Sequence, residues 1–160
     1  MTARKLVGVR IEEVGYGHPD AQRLVAELQQ EYVVRYGGPD GDVVEAAQFQ
    51  APNGAFLVGY REGRAVASGA WRTVDADGLR GAELKRMYVP PDARGHGLSR
   101  LMLAELEKRA AAAGHVRILL ETGVHQPEAI ALYRSAGYVP IPPYGHYGDD
   151  PSALFFTKTL

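Results

Sequence analysis

Segment 94–99 combines residue types that can bind a phosphate group. It carries Arg94, Gly95 and Gly97, and it leads directly into the clearest helical pattern of the sequence. Glycines let the backbone approach an anion closely, and the first N–H groups of a helix lack partners inside it. The helix dipole also favours negative charge at that end. The segment therefore predicts a phosphate site with Arg94 as an added cation, the alternative being a plain glycine turn with a solvated arginine.

Two common nucleotide-binding motifs do not fit this segment. A Rossmann turn needs a third glycine where the sequence has Arg100, and a Walker loop needs G-x-x-x-x-G-K followed by Ser or Thr, which does not occur. The segment therefore predicts neither kind of nucleotide site.

The sequence offers little for thiol or metal chemistry. It has no cysteine, which removes disulfides, catalytic thiols and Cys-based metal sites. His146, Asp149 and Asp150 stand close together, but no predicted helix or hairpin fixes their spacing, so we predict no metal.

Hydrophobic periodicity predicts an α/β protein around these residues. An antiparallel meander of strands leads into a strand, helix, strand, helix, strand unit. The helix after Gly97 is the clearest, because Leu98, Met102 and Leu106 form one apolar stripe. Helices are predicted over 18–36, 42–49, 98–113 and 127–136, and strands over 6–14, 55–60, 65–71, 83–89, 116–121, 138–141 and 153–159.

The composition excludes several classes of protein. The 160 residues are 46% apolar and 23% charged, which predicts a single domain over residues 1–160. The 18 Lys and Arg against 19 Asp and Glu include no lysine-rich tract, so nucleic acid and anionic membranes are not expected partners, and a DNA-binding regulator is disfavoured. The start of the sequence lacks an export signal and no apolar run approaches the ~18 residues of a spanning helix, so we expect a cytoplasmic location.

Two motifs together resemble the GNAT superfamily of acyltransferases. The family's pyrophosphate motif begins with Gln or Arg, has Gly at its fourth position and ends with Gly or Ala at its sixth. These positions are Arg94, Gly97 and Ser99 in this sequence, so the serine departs from the motif. Downstream, Ala129-x-x-Leu132-Tyr133-x-x-x-Gly137-Tyr138 resembles a second family signature. The resemblance extends over residues 6–160 and implies a mixed α/β sheet whose fourth and fifth strands splay apart.

The resemblance implies that the protein is an N-acetyltransferase using acetyl-CoA as cosubstrate, without a metal. Main-chain atoms of Met87, Tyr88 and Val89 would hold the pantetheine and the acyl carbonyl. The diphosphate would lie against the backbone N–H groups of residues 94–99, which are Arg94, Gly95, His96, Gly97, Leu98 and Ser99.

The same resemblance assigns candidate roles in catalysis. Tyr133 matches the family's proton donor to the leaving thiolate, although it could also simply pack in the core. Gln126 lies two helical turns earlier, where many relatives have a cofactor-binding asparagine. Glu83 and Glu121 match the general bases of two different groups of relatives and both stay open, with His125 as a weaker third candidate.

The acceptor is expected to be a primary amine, on a small molecule or a peptide, which attacks acetyl-CoA directly because no cysteine can form an acyl-enzyme. Loop 143–150 is rich in aromatic and acidic residues, and we expect it to border the acceptor pocket, with Tyr144, His146, Tyr147 and the two aspartates available to the amine. A homodimer is the expected assembly. The alternative function is a noncatalytic domain that binds acyl-CoA.

Overall fold

A seven-stranded mixed sheet forms the centre of the computed structural model, which describes residues 8–76 and 78–160. The order of its strands is β1-β2-β3-β4-β5-β7-β6. Strands β4 and β5 pair in parallel, and the other neighbouring strands described are antiparallel. The strands are β1 (Val9–Val14), β2 (Gly54–Arg61), β3 (Arg64–Ala76), β4 (Leu79–Tyr88), β5 (Arg117–Gly123), β6 (Val139–Pro140) and β7 (Ala153–Thr159).

Within these described residues, three α-helices cover the sheet: α1 (Pro19–Tyr36), α2 (Leu98–Ala112) and α3 (Pro127–Ser135). Local sequence explains where α1 begins and ends. The His18 imidazole accepts a hydrogen bond from the Asp20 N–H, and Pro19 stands in the first turn, where its missing N–H costs nothing. Gly37 ends the helix in the left-handed region, at φ +81°.

Apolar residues form a core on each face of the sheet. On one face, Leu24 and Leu28 of α1 pack with Phe56 of β2. On the other face, α2 and α3 pack against the sheet through residues that include Leu106 and Tyr133. These two layers hold the helix ends at fixed positions beside β4 and β5.

Strands β4 and β5 pair only at one end. Their ladder contains Ala82 with Ile118 and Glu83 with Leu119, and beyond these pairs the two strands separate. A bulge in β4 accompanies the separation, because Tyr88 pairs with Ser68 while Lys85 already pairs with Ala70. The splayed strands implied by the family resemblance are therefore present.

Most predicted elements are confirmed, but several differ in their bounds. The strand predicted over 65–71 extends to Ala76 as β3, and the strand predicted over 83–89 already begins at Leu79 as β4. The helix predicted over 42–49 is wrong in its first half: only Ala46–Phe49 form a 3₁₀ turn, because Asp42 turns its carboxylate toward buried cations on β3 and β4. The strand predicted over 138–141 is shorter and comprises Val139–Pro140. The strand predicted over 6–14 is seen from Val9, and its first two positions lie outside the described residues.

Candidate active site

The separation of β4 and β5 opens a cavity of about 840 Å³. Its walls come from the end of α1, both splayed strands, the start of α2, α3 and the loop before β7. The predicted site residues that line it are Met87, Tyr88, Val89, Arg94, Gly95, Ser99, Glu121, Gln126 and Tyr133. The predicted residues that do not line it are Glu83, His96, Gly97 and Leu98.

The turn before α2 leaves backbone N–H groups free at one end of the cavity. Gly95 and Gly97 both have positive φ, +80° and +77°, which residues with a Cβ rarely adopt. The first N–H of α2 that finds a helical acceptor is that of Leu101, 3.1 Å from the Gly97 carbonyl. Within the described part of the chain, the N–H groups of residues 95–100 have no backbone acceptor, so the turn fits a diphosphate.

Arg94 is held by the protein instead of extending as a free cation. Its Nε donates to the Val89 carbonyl at 2.8 Å, and its Nη2 donates to Glu31 at 2.7 Å. The guanidinium also lies 5.8 Å from the centre of the Tyr88 ring. These contacts tie the turn to β4 and α1. Within the predicted phosphate segment 94–99, the side chain of Leu98 is buried in the core, so only its N–H is available to a ligand.

Glu121 lines the cavity, and its carboxyl has no hydrogen-bond partner among the described residues. Burial raises the pKa of this carboxyl to about 8, against the opposing attraction of the Lys85 ammonium and with help from the carboxylates of Asp40 and Glu83. A carboxyl with such a pKa can take a proton near neutral pH.

Glu83 has a different environment although it lies on the neighbouring strand. It is 7% exposed, its Oε1 accepts from the Arg72 guanidinium at 2.9 and 3.1 Å, and its Oε2 accepts from the Tyr144 hydroxyl at 2.8 Å. Both carboxylate oxygens are therefore occupied by the protein.

Tyr133 and Gln126 lie on the same side of α3 and both line the cavity, as their seven-residue spacing predicts. Tyr133 is 6% exposed and packs 5.5 Å from the Tyr138 ring, while Tyr138 donates to Glu107 at 2.8 Å. Burial, reinforced by the charge of Glu121, raises the pKa of Tyr133 above its ordinary value. The phenol is therefore protonated at neutral pH.

The Gln126 amide is partly used by the protein. Its Oε1 accepts from the Tyr36 hydroxyl at 3.0 Å, which leaves its NH₂ group for a ligand. His125, the third candidate base, packs its ring 5.1 Å from that of Tyr36 and does not line the cavity.

A buried cluster of charges that the sequence did not predict supports the wall opposite α3. Asp40 accepts from Lys85 at 3.2 Å and from Arg86 at 2.7 Å, and Asp42 accepts from Lys85 at 3.0 Å and from Arg72 at 2.6 Å. Burial alone would raise the pKa of Asp40, but Lys85, the Tyr147 hydroxyl and Arg86 together hold it well below its usual range.

Loop 143–150 borders the cavity, but with fewer free groups than predicted. Tyr144 is 5% exposed and gives its hydroxyl to Glu83, so it is not available to a substrate. Tyr147 and Asp150 do line the cavity, whereas His146 and Asp149 do not. Over residues 8–76 and 78–160, no group of His, Asp and Glu side chains has the arrangement of a metal site. In the same residues no helix has the length and apolarity needed to cross a membrane.

Several cavity residues carried no signal in the sequence. Tyr32, Tyr36, Asp40 and Lys85 all contribute to the wall. The two tyrosines stand four residues apart on α1, and this spacing places them on the same side of the helix. The sequence did not indicate which part of the protein that side would face.

The chain matches known acetyltransferases over most of its length. Residues 21–138 match the model of the acetyltransferase (GNAT) family. A protein of Azospirillum brasilense named IAA acetyltransferase is 40% identical over 138 residues, which cover 86% of this chain and 89% of that protein. The uncharacterized N-acetyltransferase YjgM of Escherichia coli is 29% identical over 126 residues, 76% of this chain and 75% of that protein.

Solved structures show the same fold. A putative acyl-CoA N-acyltransferase from Klebsiella pneumoniae superposes with a TM-score of 0.76 at 30% identity, over 95% of this chain and 97% of that one. The PaiA N-acetyltransferase from Thermoplasma acidophilum, solved in complex with coenzyme A, superposes with a TM-score of 0.71 at 15% identity, over 95% and 99% of the two chains.

Proposed function

Because the chain belongs to the acetyltransferase (GNAT) family, it is an acyltransferase that takes acetyl groups from acetyl-CoA, and we propose that it passes them directly to a primary amine. Glu121 is the general base and Tyr133 the general acid of this reaction. The observation that carries the proposal is that an unpaired carboxyl with a raised pKa and a protonated phenol line the same cavity between β4 and β5.

The base must remove a proton from an amine that is mostly protonated at neutral pH, since a lysine-like amine has a pKa of ~10.4. Glu121 suits this task because both its oxygens are free of protein partners in the described residues, and because burial gives it a pKa near the working pH. Glu83 suits it poorly, because Arg72 and Tyr144 occupy its oxygens.

The acid must protonate the sulfur of coenzyme A as it leaves. Glu121 first takes the ammonium proton and releases it to solvent, so that the neutral nitrogen can attack. The nitrogen then forms a bond to the acetyl carbon and the bond from that carbon to sulfur breaks. Glu121 takes the second proton from the nitrogen and releases it to solvent, and Tyr133 gives a proton to the thiolate and regains one from solvent. Tyr133 suits this role because its raised pKa keeps it protonated, while a thiol has an ordinary pKa of ~8.5.

Acetyl-CoA is held, in this proposal, by backbone groups. The free N–H groups of residues 95–100 receive the diphosphate. The pantetheine is received by the edge of β4 that does not pair with β5, at Met87 and Tyr88, and by the main chain of the following Val89, whose carbonyl already accepts from Arg94. The NH₂ group of Gln126 is a further donor. Arg94 acts mainly by fixing the turn through Val89 and Glu31.

The side chains available support direct transfer in a ternary complex. The sequence has no cysteine, so no thiol can carry the acetyl group between the two substrates. The homodimer, the cytoplasmic location and the absence of nucleic-acid and membrane partners stay predictions from the sequence.

Initial rates of acetyl transfer to an alkylamine test these roles. We expect Glu121→Gln to lower kcat by about 100-fold and Tyr133→Phe by about tenfold or more, with acetyl-CoA affinity by calorimetry unchanged in both. Glu128→Gln is the matched control for Glu121→Gln, since Glu128 lines the same cavity but pairs with Arg35 on the surface. Wild-type kcat in the Glu121→Gln variant would refute the assignment of the base, and wild-type kcat in Tyr133→Phe that of the acid.

A further inference from the structure

Three chain segments that line the cavity are joined to one another by hydrogen bonds in a ring, and we call this ring the collar. Its segments are the end of α1 with the following loop (36–42), the turn between β5 and α3 (123–126), and the loop before β7 (144–152). Each segment contributes to the cavity wall, through Tyr36, Asp40, Gly123, Gln126, Tyr147 and Ser152. Each also bonds directly to the other two.

The first joint connects the end of α1 to the turn before α3. The Tyr36 hydroxyl donates to Gln126 at 3.0 Å, and Arg35 donates to the His125 carbonyl at 2.8 Å. The Tyr36 hydroxyl also packs tightly on Gly123, because a Cβ at this position would lie 1.9 Å from the phenolic oxygen. Nothing as large as a methyl group fits between these two segments.

The second joint connects the loop after α1 to the loop before β7. The Tyr147 hydroxyl donates to the Asp40 carboxylate at 2.5 Å and accepts from the Gly41 N–H at 2.7 Å. Asp40 is itself fixed by Lys85 and Arg86, so the joint is anchored to β4.

The third joint closes the ring through the backbone. The Val124 N–H donates to the Ser152 carbonyl at 2.9 Å, which links the turn before α3 to the loop before β7. Each of the three segments is thus bonded to both of the others.

The charges inside the collar suit a cation. Asp150 lines the cavity, and the Ser152 N–H and hydroxyl, both 2.8 Å from its Oδ1, lower the pKa of this carboxyl and keep it ionised. Glu121 lines the same cavity, two residues before Gly123, and the charge of Asp150 acts on it. An ammonium group in the cavity therefore has two acidic side chains available to it.

We propose that the collar surrounds the entrance for the acceptor, that the acceptor is an amine at the end of a slender, unbranched chain, which enters the collar end-on, and that the collar excludes the N-termini of peptides. This inference rests on the function proposed above and names its class of substrate. An alkylamine or diamine presents only methylene groups behind its nitrogen. The carbon that bears a peptide N-terminus carries both a side chain and the rest of the backbone, which a closed ring cannot pass.

A comparison of two acceptors, a peptide and an alkylamine, tests the proposal, because their amines differ in pKa. A peptide N-terminus has a pKa of ~8 and an alkylamine one of ~10.4, so at pH 8 the peptide offers about a hundredfold larger fraction of free amine. We expect wild-type kcat/KM to be at least about tenfold higher for pentylamine than for trialanine amide in spite of this.

Variants that open single joints make the test specific. Tyr147→Ala removes both hydrogen bonds of the second joint. We expect the ratio of kcat/KM for pentylamine to kcat/KM for trialanine amide to fall by about tenfold, because kcat/KM for the peptide rises. Tyr36→Ala opens the first joint and should change the ratio in the same direction. Lys108→Ala is the control, because its exposed side chain on α2 makes no hydrogen bond among the described residues and lies outside both the collar and the cavity wall. Calorimetry with acetyl-CoA verifies that each variant is folded.

The outcomes separate this inference from the function on which it rests. If no amine of either kind is acetylated, the proposed function fails and the collar proposal with it. If wild type acetylates trialanine amide as well as pentylamine, or if both joint variants keep the wild-type ratio, the collar proposal alone is wrong.

Discussion

At the scale of single residues, the contrast between Glu83 and Glu121 explains how one of two adjacent carboxyls is available for chemistry. Both lie on the strands that flank the splay. Glu83 is bonded on both oxygens by Arg72 and Tyr144, so it stabilises the sheet as part of a buried ion pair. Glu121 has no such partner and its pKa is raised to about 8 by burial. Glu83 and Glu121 are residues of the same type, so the difference in their availability for proton transfer comes from the hydrogen-bond partners of each carboxyl.

A structural role for Glu83 leads to a prediction about stability. Glu83→Gln removes the charge opposite buried Arg72, and breaking such a pair costs about 3 kcal/mol or more. We therefore expect a clear loss in the free energy of unfolding by urea denaturation, while kcat falls less than about threefold among the molecules that stay folded. If Glu83→Gln keeps wild-type stability and loses kcat as severely as Glu121→Gln, then Glu83 is the base.

At the scale of elements, the turn between β4 and α2 joins a glycine-rich backbone to a helix end. Gly95 and Gly97 have positive φ, and the N–H groups of residues 95–100 have no acceptor in α2 or elsewhere in the described backbone. Because the Arg94 side chain is bonded to Val89 and Glu31, the backbone supplies most of the donors. The affinity for acetyl-CoA should therefore depend on the conformation of this turn.

Two matched glycine substitutions test that dependence. Gly95 and Gly63 both have positive φ, +80° and +75°, and a Cβ at either would meet nothing within 4 Å. Placing alanine in this conformation costs about 1–2 kcal/mol at each position. Gly95→Ala should also weaken acetyl-CoA binding by about tenfold, because a 1.4 kcal/mol loss of preorganisation corresponds to that factor. Gly63→Ala lies in the β2–β3 hairpin and should bind as wild type does, and equal affinities in the two variants would contradict the account.

At the scale of the whole molecule, a charge cluster joins segments that are distant in the sequence. Asp40 and Asp42 follow α1, Arg72 lies on β3, and Lys85 and Arg86 lie on β4. Tyr147 of the loop before β7 bonds to Asp40 as well. The cluster thus holds the acceptor side of the cavity against the sheet.

Asp40→Asn should therefore destabilise the protein far more than the same substitution at an exposed aspartate. It leaves Lys85 and Arg86 without their shared carboxylate in a buried site, at a cost of about 3–5 kcal/mol in the free energy of unfolding. Asp92→Asn is the matched control, because Asp92 pairs with Arg64 where both side chains are more than half exposed, and such a pair contributes at most about 1 kcal/mol.

The difference in the free energy of unfolding between wild type and Asp40→Asn should change with pH in a defined direction. Because the pKa of Asp40 in the folded protein lies below its unfolded value, its contribution is present above about pH 4 and is lost as the pH falls through the folded pKa. The gap between wild type and Asp40→Asn should shrink below pH 4 in urea titrations. Equal stability of the two aspartate variants at pH 7 would show that the cluster contributes nothing.

The sequence predicted those features that depend on neighbouring residues. Helix ends at Gly37 and Gly137, the apolar stripe of α2 and the turn at 94–99 all arise from local chemistry. Family motifs then marked Gln126 and Tyr133, which do line the cavity.

Features that depend on distant contacts were not predictable. The choice between Glu83 and Glu121 rests on Arg72 and Tyr144, the latter 61 positions away from Glu83. The extended course of residues 42–45 likewise depends on buried cations of β3 and β4, which outweigh the helical pattern of that segment. Periodicity describes one segment at a time, so it carries no information about such partners.

The central claim is that Glu121 removes the proton from the acceptor, and the pH profile of kcat tests it most directly. Wild-type kcat for pentylamine, at saturating acetyl-CoA, should rise about tenfold per pH unit below pH 8 and level off above it, because only the ionised carboxyl is active. Glu121→Gln should lose this rise together with most of the rate. A Glu121→Gln variant that keeps the wild-type profile, with its midpoint near pH 8, would contradict the account.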